Sequence, residues 1–160
     1  MVLEFFQDAF FSAIAAIGFA SISNPPDGVY GICALTAAVG HSFRYFLMSN
    51  DWCMLHILPA STLAAFLIGT LAVFLAPRAK SPAEACFAPA LLPMIPGMYA
   101  YRTIKALLLC LFQQEEMDFN HYFYLFVSNG LTCTFIILGM VIGATLPVFL
   151  FKKISFQATR

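Results

Sequence analysis

Five long apolar runs, separated by short polar segments, constrain this chain more strongly than any motif in it. The runs cover residues 5–23, 29–48, 55–76, 83–112 and 121–151. A helix needs about 20 apolar residues to cross the hydrocarbon core of a bilayer. In lipid, only helices and closed barrels satisfy their own backbone hydrogen bonds. We therefore predict an all-α integral membrane protein, with a single transmembrane domain over residues 1–160 and about five transmembrane segments.

The composition supports this prediction and excludes one class of partner. The chain is 61% hydrophobic and only 10% charged, whereas soluble domains are about 45–50% apolar and about 25% charged. A soluble fold of this length has too few charged residues to cover so much apolar surface. The net charge is zero, which leaves no basic face for nucleic acid. The expected surroundings are the lipid bilayer.

The fourth apolar run is interrupted by three prolines and a glycine, at Pro89, Pro93 and Pro96-Gly97. Each interior proline removes a helical hydrogen bond and clashes with the preceding turn. Backbone freed at membrane depth must be buried in protein or line a wet cavity, and such broken segments mark transport sites. We predict that the fourth segment breaks here and that a half-helix over residues 98–112 follows Gly97.

The broken segment has two interpretations, and the basic residues distinguish them. Five crossings place two basic groups on the same side of the membrane, and the positive-inside rule makes that side cytoplasmic. A re-entrant hairpin over 83–112 would place the two groups on opposite sides. We favour five crossings with a cytoplasmic C-terminus. The basic residues concerned are Arg78, Lys80, Lys152, Lys153 and Arg160.

The half-helix predicts a site for an anion. Unpaired amide groups at a helix N-terminus carry partial positive charge and suit a carboxylate. Arg102 and Lys105 follow at i, i+3 and share one face, although both side chains would also reach a headgroup interface. The predicted substrate-binding residues in this segment are Pro93, Pro96, Gly97, Tyr101 and Arg102.

A second pair, His41 and Arg44, lies near the end of the second run. Arg44 is suited to bidentate binding of a carboxylate, and His41 to carrying a proton. The alternative is an interface anchor beside a hydrogen-bonded histidine. Glu4 and Asp8 begin the first run, where we expect a solvated helix start stabilised by the helix dipole, with Asp8 as a proton site the lesser interpretation.

Other motifs predict packing rather than chemistry. Gly139 and Gly143 form a GxxxG pattern, which lets another helix approach closely. The sequence has no HExxH, no Cys/His cluster and no glycine-rich phosphate loop. We therefore expect no metal, no cofactor and no enzymatic activity.

Several short stretches together resemble the threonine/serine exporter family, and within it the small YjjB-type membrane subunits. The specific parts of the resemblance are the PMxPGxxAY stretch, from Pro93 to Tyr101, and the GHxxR stretch, from Gly40 to Arg44. Further matching residues occur in order along the chain: Gly18-Phe19-Ala20, Asn24, Pro26 and Cys33-Ala34-Leu35. The chain departs from the family pattern at Pro25 and Asp27-Gly28.

The resemblance implies export of small carboxylates or hydroxy amino acids across the bacterial inner membrane. It also implies a second, YjjP-type membrane subunit as partner in succinate export. Five spans are few for a carrier that alternates access with paired repeats, so a partner subunit or a homo-oligomer is expected on physical grounds too. We predict a subunit of a succinate-like dicarboxylate exporter. The alternatives are a threonine/serine-type exporter subunit and a non-transporting scaffold that stabilises its partner.

Overall fold

The computed structural model describes residues 2–49, 54–112 and 115–155. Within these ranges every regular element is helical, which confirms the all-α prediction. Arg160, used above to argue orientation, lies outside the described residues. The helices are α1 Val2–Ser23, α2 Asp27–Ser49, α3 Ile57–Leu75, α4 Ala83–Leu91, α5 Gly97–Phe112, α6 Glu116–Leu150 and α7 Lys152–Ser155, with 3₁₀ turns at Ala76–Ala79 and Leu92–Met94.

Three stretches in the described part of the chain are long and apolar enough to cross a membrane. They are Leu3–Ser23, Ile57–Ala79 and Glu116–Leu150. Helix α2 has 23 residues but is more polar, since it carries His41 and Arg44. A shorter apolar helix covers Ala83–Met94. Large apolar side chains stand exposed along these helices, as expected where the surrounding solvent is lipid. The count of five crossings remains a prediction.

The fourth segment breaks where prolines were expected to break it, with one difference. Helix α4 continues through Pro89 to Leu91, a 3₁₀ turn ends at Met94, and α5 begins at Gly97. Pro89 therefore does not end the helix. The carbonyl of Ala85, which Pro89 leaves without a helical amide, accepts a bond from the thiol of Cys33 in α2. The half-helix predicted after Gly97 is confirmed as α5.

The chain forms two compact units. The first contains the residues up to Met94 and those from Gly139 onward. Its helices α1 and α2 are joined by a tight turn over residues 24–26, in which Asn24 adopts a left-handed backbone with φ 46°. Because this turn is short, α1 and α2 pack side by side in opposite directions.

Small residues set the packing of α3 in this unit. Gly139 and Gly143 both face Thr62, where an added Cβ would collide with the side-chain oxygen or the backbone carbonyl. An added Cβ on Gly69 would lie 2.9 Å from the Cα of Ala144. These contacts bring the backbones of α3 and the last part of α6 closer than larger side chains would allow.

The second unit covers Ile95–Leu138 and is a helical hairpin of α5 and the first part of α6. Its two helices run antiparallel, because contacts pair residues in opposite order along them. The Cys110 thiol lies 3.9 Å from the carbonyl oxygen of Phe119, and the Cys133 thiol lies 4.0 Å from that of Pro96. Three polar side chains of this part of α6 bond to carbonyls in their own helix: Asn129, Thr132 and Thr134.

Candidate functional site

The turn between α1 and α2 brings the start of α1 beside the end of α2. Asp8 lies 15 residues before the end of α1 at Ser23, and His41 lies 14 residues after the start of α2 at Asp27. At about 1.5 Å rise per residue, the two positions are nearly level in an antiparallel pair. The structure places the Asp8 carboxylate oxygen Oδ2 3.9 Å from Nδ1 of His41.

His41 is buried in this apolar surrounding. Its side chain is 4% exposed, whereas that of Asp8 is 37% exposed. The second ring nitrogen, Nε2, has no hydrogen-bond partner among the described residues. Buried polar atoms are nearly always paired, so an exception requires a functional or structural explanation.

Arg44 lies one turn beyond His41 and reaches the broken segment. Its Nη1 donates a hydrogen bond to the carbonyl oxygen of Met94, 3.2 Å away. This carbonyl ends the 3₁₀ turn before the break, where a positive charge complements the negative end of the helix dipole. A guanidinium has five N–H donors, so one bond to Met94 leaves most of them for another acceptor.

A cavity of about 290 Å³ opens beside these side chains. Asp8 and Arg44 both line it, which places one negative and one positive charge on the same small cavity. Tyr45 also lines it, and the Tyr45 hydroxyl donates to the carboxylate of Glu4 at 2.9 Å. We call Asp8, His41 and Arg44 the Asp8 cluster.

The second unit contains a larger cavity, of about 460 Å³. Arg102 and Lys105 line it from α5, and Tyr122 and Asn129 line it from α6. The shared face predicted for Arg102 and Lys105 is therefore a cavity wall in the structure. We call this space the hairpin cavity. It offers two cations to a ligand and, among its lining residues, no acid.

The predicted site residues fall in both units. His41, Arg44 and Pro93 belong to the first unit, and the structure links Arg44 to Met94, the neighbour of Pro93. The remaining predicted residues belong to the second unit: Pro96, Gly97, Tyr101 and Arg102. A Cβ added to Gly97 would meet no atom within 4 Å, so the start of the half-helix is open.

Asp8 is the residue that sequence reasoning undervalued. We expected a solvated helix start, but Asp8 is half-buried and faces His41. The signal was present in the spacing, since Asp8 and His41 are nearly equidistant from the turn that joins their helices. When an acid on one helix and a base on the next lie at similar distances from the short turn between them, the two side chains are expected to come into contact.

Ionisable side chains that face one another between apolar helices are typical of one class of membrane protein. Such groups are costly in a membrane and mark substrate or ion pathways. Polytopic helices, a broken segment and the Asp8 cluster together define a membrane transporter.

The family is shown by comparison with known proteins. Residues 8–150 match the model of the threonine/serine exporter family, and the chain belongs to that family. An uncharacterized protein of Haemophilus influenzae is 32% identical over 153 residues, which are 95% of this chain and 49% of that protein. The chain therefore spans about half the length of this curated relative. No solved structure matches the chain.

Proposed function

We propose that this chain is a membrane subunit of an exporter of small amino acids of the threonine/serine type. The observation that carries the proposal is the pair of opposite charges, Asp8 and Arg44, on one small cavity between otherwise apolar helices. Membership of the threonine/serine exporter family supports the same substrate class. We place the protein in the bacterial inner membrane with its C-terminus in the cytoplasm.

The chemistry of the cavity matches an amino-acid zwitterion. The Arg44 guanidinium binds the substrate carboxylate, since planar guanidinium and carboxylate groups pair bidentately. The Asp8 carboxylate binds the substrate ammonium group. A volume of about 290 Å³ lies at the lower limit of small-molecule pockets, which suits a substrate the size of serine.

Export of a succinate-like dicarboxylate is the second candidate function, and the hairpin cavity favours it. Arg102 and Lys105 supply two cations there, and no acid lines the cavity. A dianion is compatible with that arrangement, whereas Asp8 would repel one of its carboxylates at the first cavity. Each substrate class thus depends on a different arginine.

We also propose a partner for this chain. The Haemophilus influenzae relative contains about as much chain again outside the matched part. Alternating access commonly uses two repeats that move against each other. A second membrane subunit, of the YjjP type implied by the resemblance, or a second copy of this chain supplies the missing repeat.

The test measures export of labelled threonine and succinate from cells that produce the chain with its proposed second subunit. We expect Arg44→Gln to reduce threonine export at least tenfold and Arg44→Lys to reduce it less, because the charge remains. Arg102→Gln leaves threonine export unchanged if the first cavity binds the substrate. Arg78→Gln is the matched control, since Arg78 lies exposed in a 3₁₀ turn and donates to the nearby carbonyl of Phe74.

The outcomes separate the candidates. Loss of succinate export in Arg102→Gln with threonine export absent in every strain would support the second candidate and overturn the first. Full threonine export by Arg44→Gln would also overturn the first. Export that continues when this chain is omitted would show that the partner alone forms the path, which is the scaffold alternative.

A further inference from the structure

Two adjoining cavities of the helical hairpin differ in polarity. The hairpin cavity has Arg102 and Lys105 in its wall. A second cavity, of about 370 Å³, runs along α5, and we call it the α5 groove. Lys105 and Leu109 line both spaces, so the two are continuous. The other residues that line the α5 groove are apolar or aromatic: Tyr101, Ile104, Leu108 and Phe112. A cationic cavity that continues into an apolar groove suits a ligand with an anionic head and an apolar tail.

The two cations of the hairpin cavity have no counter-charge in the described part of the chain. Neither Arg102 nor Lys105 has a hydrogen bond or an ion pair to a described residue. The sequence has no acidic residue between Glu84 and Glu115, and none after Asp118. Basic side chains of membrane helices pair with an acid or reach the lipid headgroups. An anion from outside the chain is therefore the expected partner of these two side chains.

The pairing of α5 with α6 places these cations at the level of tyrosine side chains. The thiol of Cys110 lies beside the carbonyl oxygen of Phe119, and the two helices run antiparallel. Lys105, five residues before Cys110, is therefore level with Tyr124, five residues after Phe119. Tyr122, at nearly the same level, lines the hairpin cavity. Tyrosines are enriched where the bilayer meets water, which is the depth of the lipid phosphates.

Neither the hairpin tip nor a second copy of the chain supplies an acid at this level. Asp118, the nearest acid along α6, lies six residues from the level of Lys105, which is a rise of about 9 Å. A two-fold axis along the membrane normal brings identical residues of two copies to the same depth. A second copy would thus add two more cations, Arg102 and Lys105, and no acid.

We propose that the hairpin cavity and the α5 groove together bind one anionic phospholipid. The phosphodiester accepts hydrogen bonds from Arg102 and Lys105, which lie three residues apart on one face of α5. One acyl chain lies in the α5 groove along Ile104 and Tyr101, on the side of Lys105 away from the polar tip. The inference is independent of the amino-acid site proposed in the first unit, and it gives the hairpin cavity an occupant other than a dicarboxylate.

The α6 side of the cavity offers polar groups that match the same ligand. Nδ2 of Asn129 donates one of its two hydrogens to the carbonyl of Leu125, so the second remains for an ester carbonyl of the lipid. Asn129 lies further from the hairpin tip than Tyr122, as the ester groups lie deeper in the bilayer than the phosphates. The Tyr122 hydroxyl is a donor at the phosphate level.

The absence of an acid also determines which lipid class is preferred. A zwitterionic phospholipid brings an ammonium group to a cavity that already contains two cations. An anionic lipid such as phosphatidylglycerol brings the phosphodiester alone. Its charge also offsets the repulsion between Arg102 and Lys105, since like charges at this helical spacing repel. We therefore expect bound phosphatidylglycerol to stabilise the hairpin.

The test measures binding of phosphatidylglycerol to the purified full chain in a neutral detergent by native mass spectrometry. Phosphatidylcholine with the same acyl chains should bind at least tenfold more weakly. Arg102→Gln and Lys105→Gln should each weaken phosphatidylglycerol binding about fivefold, the usual contribution of one basic residue at an anionic membrane surface. Arg102→Lys should weaken it less. Arg78→Gln is the matched control, because Arg78 is an exposed arginine outside the hairpin, and it should bind as the wild type.

Two measurements on the wild-type protein keep the proposal falsifiable if a variant misfolds. Phosphatidylglycerol should raise the melting temperature in detergent more than phosphatidylcholine does. Millimolar glycerol phosphate or succinate should not displace the lipid, because neither has an acyl chain for the α5 groove. Equal affinity for the two lipids, or unchanged binding in both Arg102→Gln and Lys105→Gln, would overturn the inference. Displacement by succinate would also overturn it and would assign the cavity to a free dianion, the second candidate function.

Discussion

The thiol of Cys33 donates to the carbonyl oxygen of Ala85 at 3.5 Å. Ala85 is the residue four positions before Pro89, so its carbonyl is the one that Pro89 leaves without a helical amide. A side chain of α2 thus supplies the donor that α4 lacks. This contact explains how α4 continues through a proline in an apolar surrounding, where an unpaired carbonyl is costly.

Removing the thiol donor should destabilise the protein. We expect Cys33→Ala to cost about 1 kcal/mol, the order of a lost buried hydrogen bond, which corresponds to a melting temperature about 2–4 °C lower for a chain of this size. Cys33→Ser keeps a donor and should lose less. Thermal unfolding in detergent measures both variants.

A double-mutant cycle provides the control for Cys33. Pro89→Ala restores the amide that bonds to Ala85, so Cys33→Ala should cost less in that background. An equal cost of Cys33→Ala with and without Pro89 would show that the thiol contributes through packing alone.

Replacement by alanine should change the stability of the protein very differently at two helical glycines. Gly69→Ala places a Cβ against the backbone of Ala144, so we expect a loss of about 1–3 kcal/mol from overpacking. Gly31→Ala is the matched control, because its Cβ would meet no atom within 4 Å. Alanine favours a helix over glycine by about 0.5–1 kcal/mol, so this variant should be neutral or more stable. Melting temperatures in detergent compare the two, and a stable Gly69→Ala would contradict the close approach.

The apolar runs and the prolines made most of the fold predictable from sequence. Residues 29–48 were expected as a segment and form α2 over Asp27–Ser49, because a run of apolar residues between turn signals leaves little choice of structure. Gly97 was expected to precede a half-helix, and α5 begins there. Pro89 was misjudged because its effect depends on Cys33, which is distant in sequence and adjacent only after folding.

The candidate site was less predictable, for the same reason. His41 and Arg44 stand out as charges in an apolar run, so composition alone identifies them. Asp8 lies near the start of its run, where a solvated position is equally compatible with the sequence. Its role depends on which helix packs beside α1, and the bond from Arg44 to Met94 likewise requires the tertiary fold. Local sequence patterns identify the ionisable residues, and the packing of the helices determines which of these residues come into contact.

Arg44 should contribute to stability as well as to transport. Its bond to the Met94 carbonyl satisfies an acceptor at the break, and a charged donor is worth about 1.5–3 kcal/mol. Arg44→Gln should therefore lower the melting temperature in detergent, while Arg44→Lys should lower it less because the cation remains. Arg102→Gln is the control, since Arg102 lies exposed on α5. Equal melting temperatures for Arg44→Gln and the wild type would show that the break is stable without this bond.

The orientation of the exposed loops should distinguish five crossings from a re-entrant hairpin. Single cysteines at Lys80 and Glu116, both exposed, are introduced after the native cysteines are replaced, and intact cells are treated with a membrane-impermeant maleimide. Five crossings place Lys80 in the cytoplasm and Glu116 outside, because basic loops stay on the cytoplasmic side. We expect labelling of Glu116→Cys alone, and of Lys80→Cys only after the membrane is opened. Protection of both positions in intact cells would contradict five crossings and support a hairpin that turns back at Pro93 and Pro96.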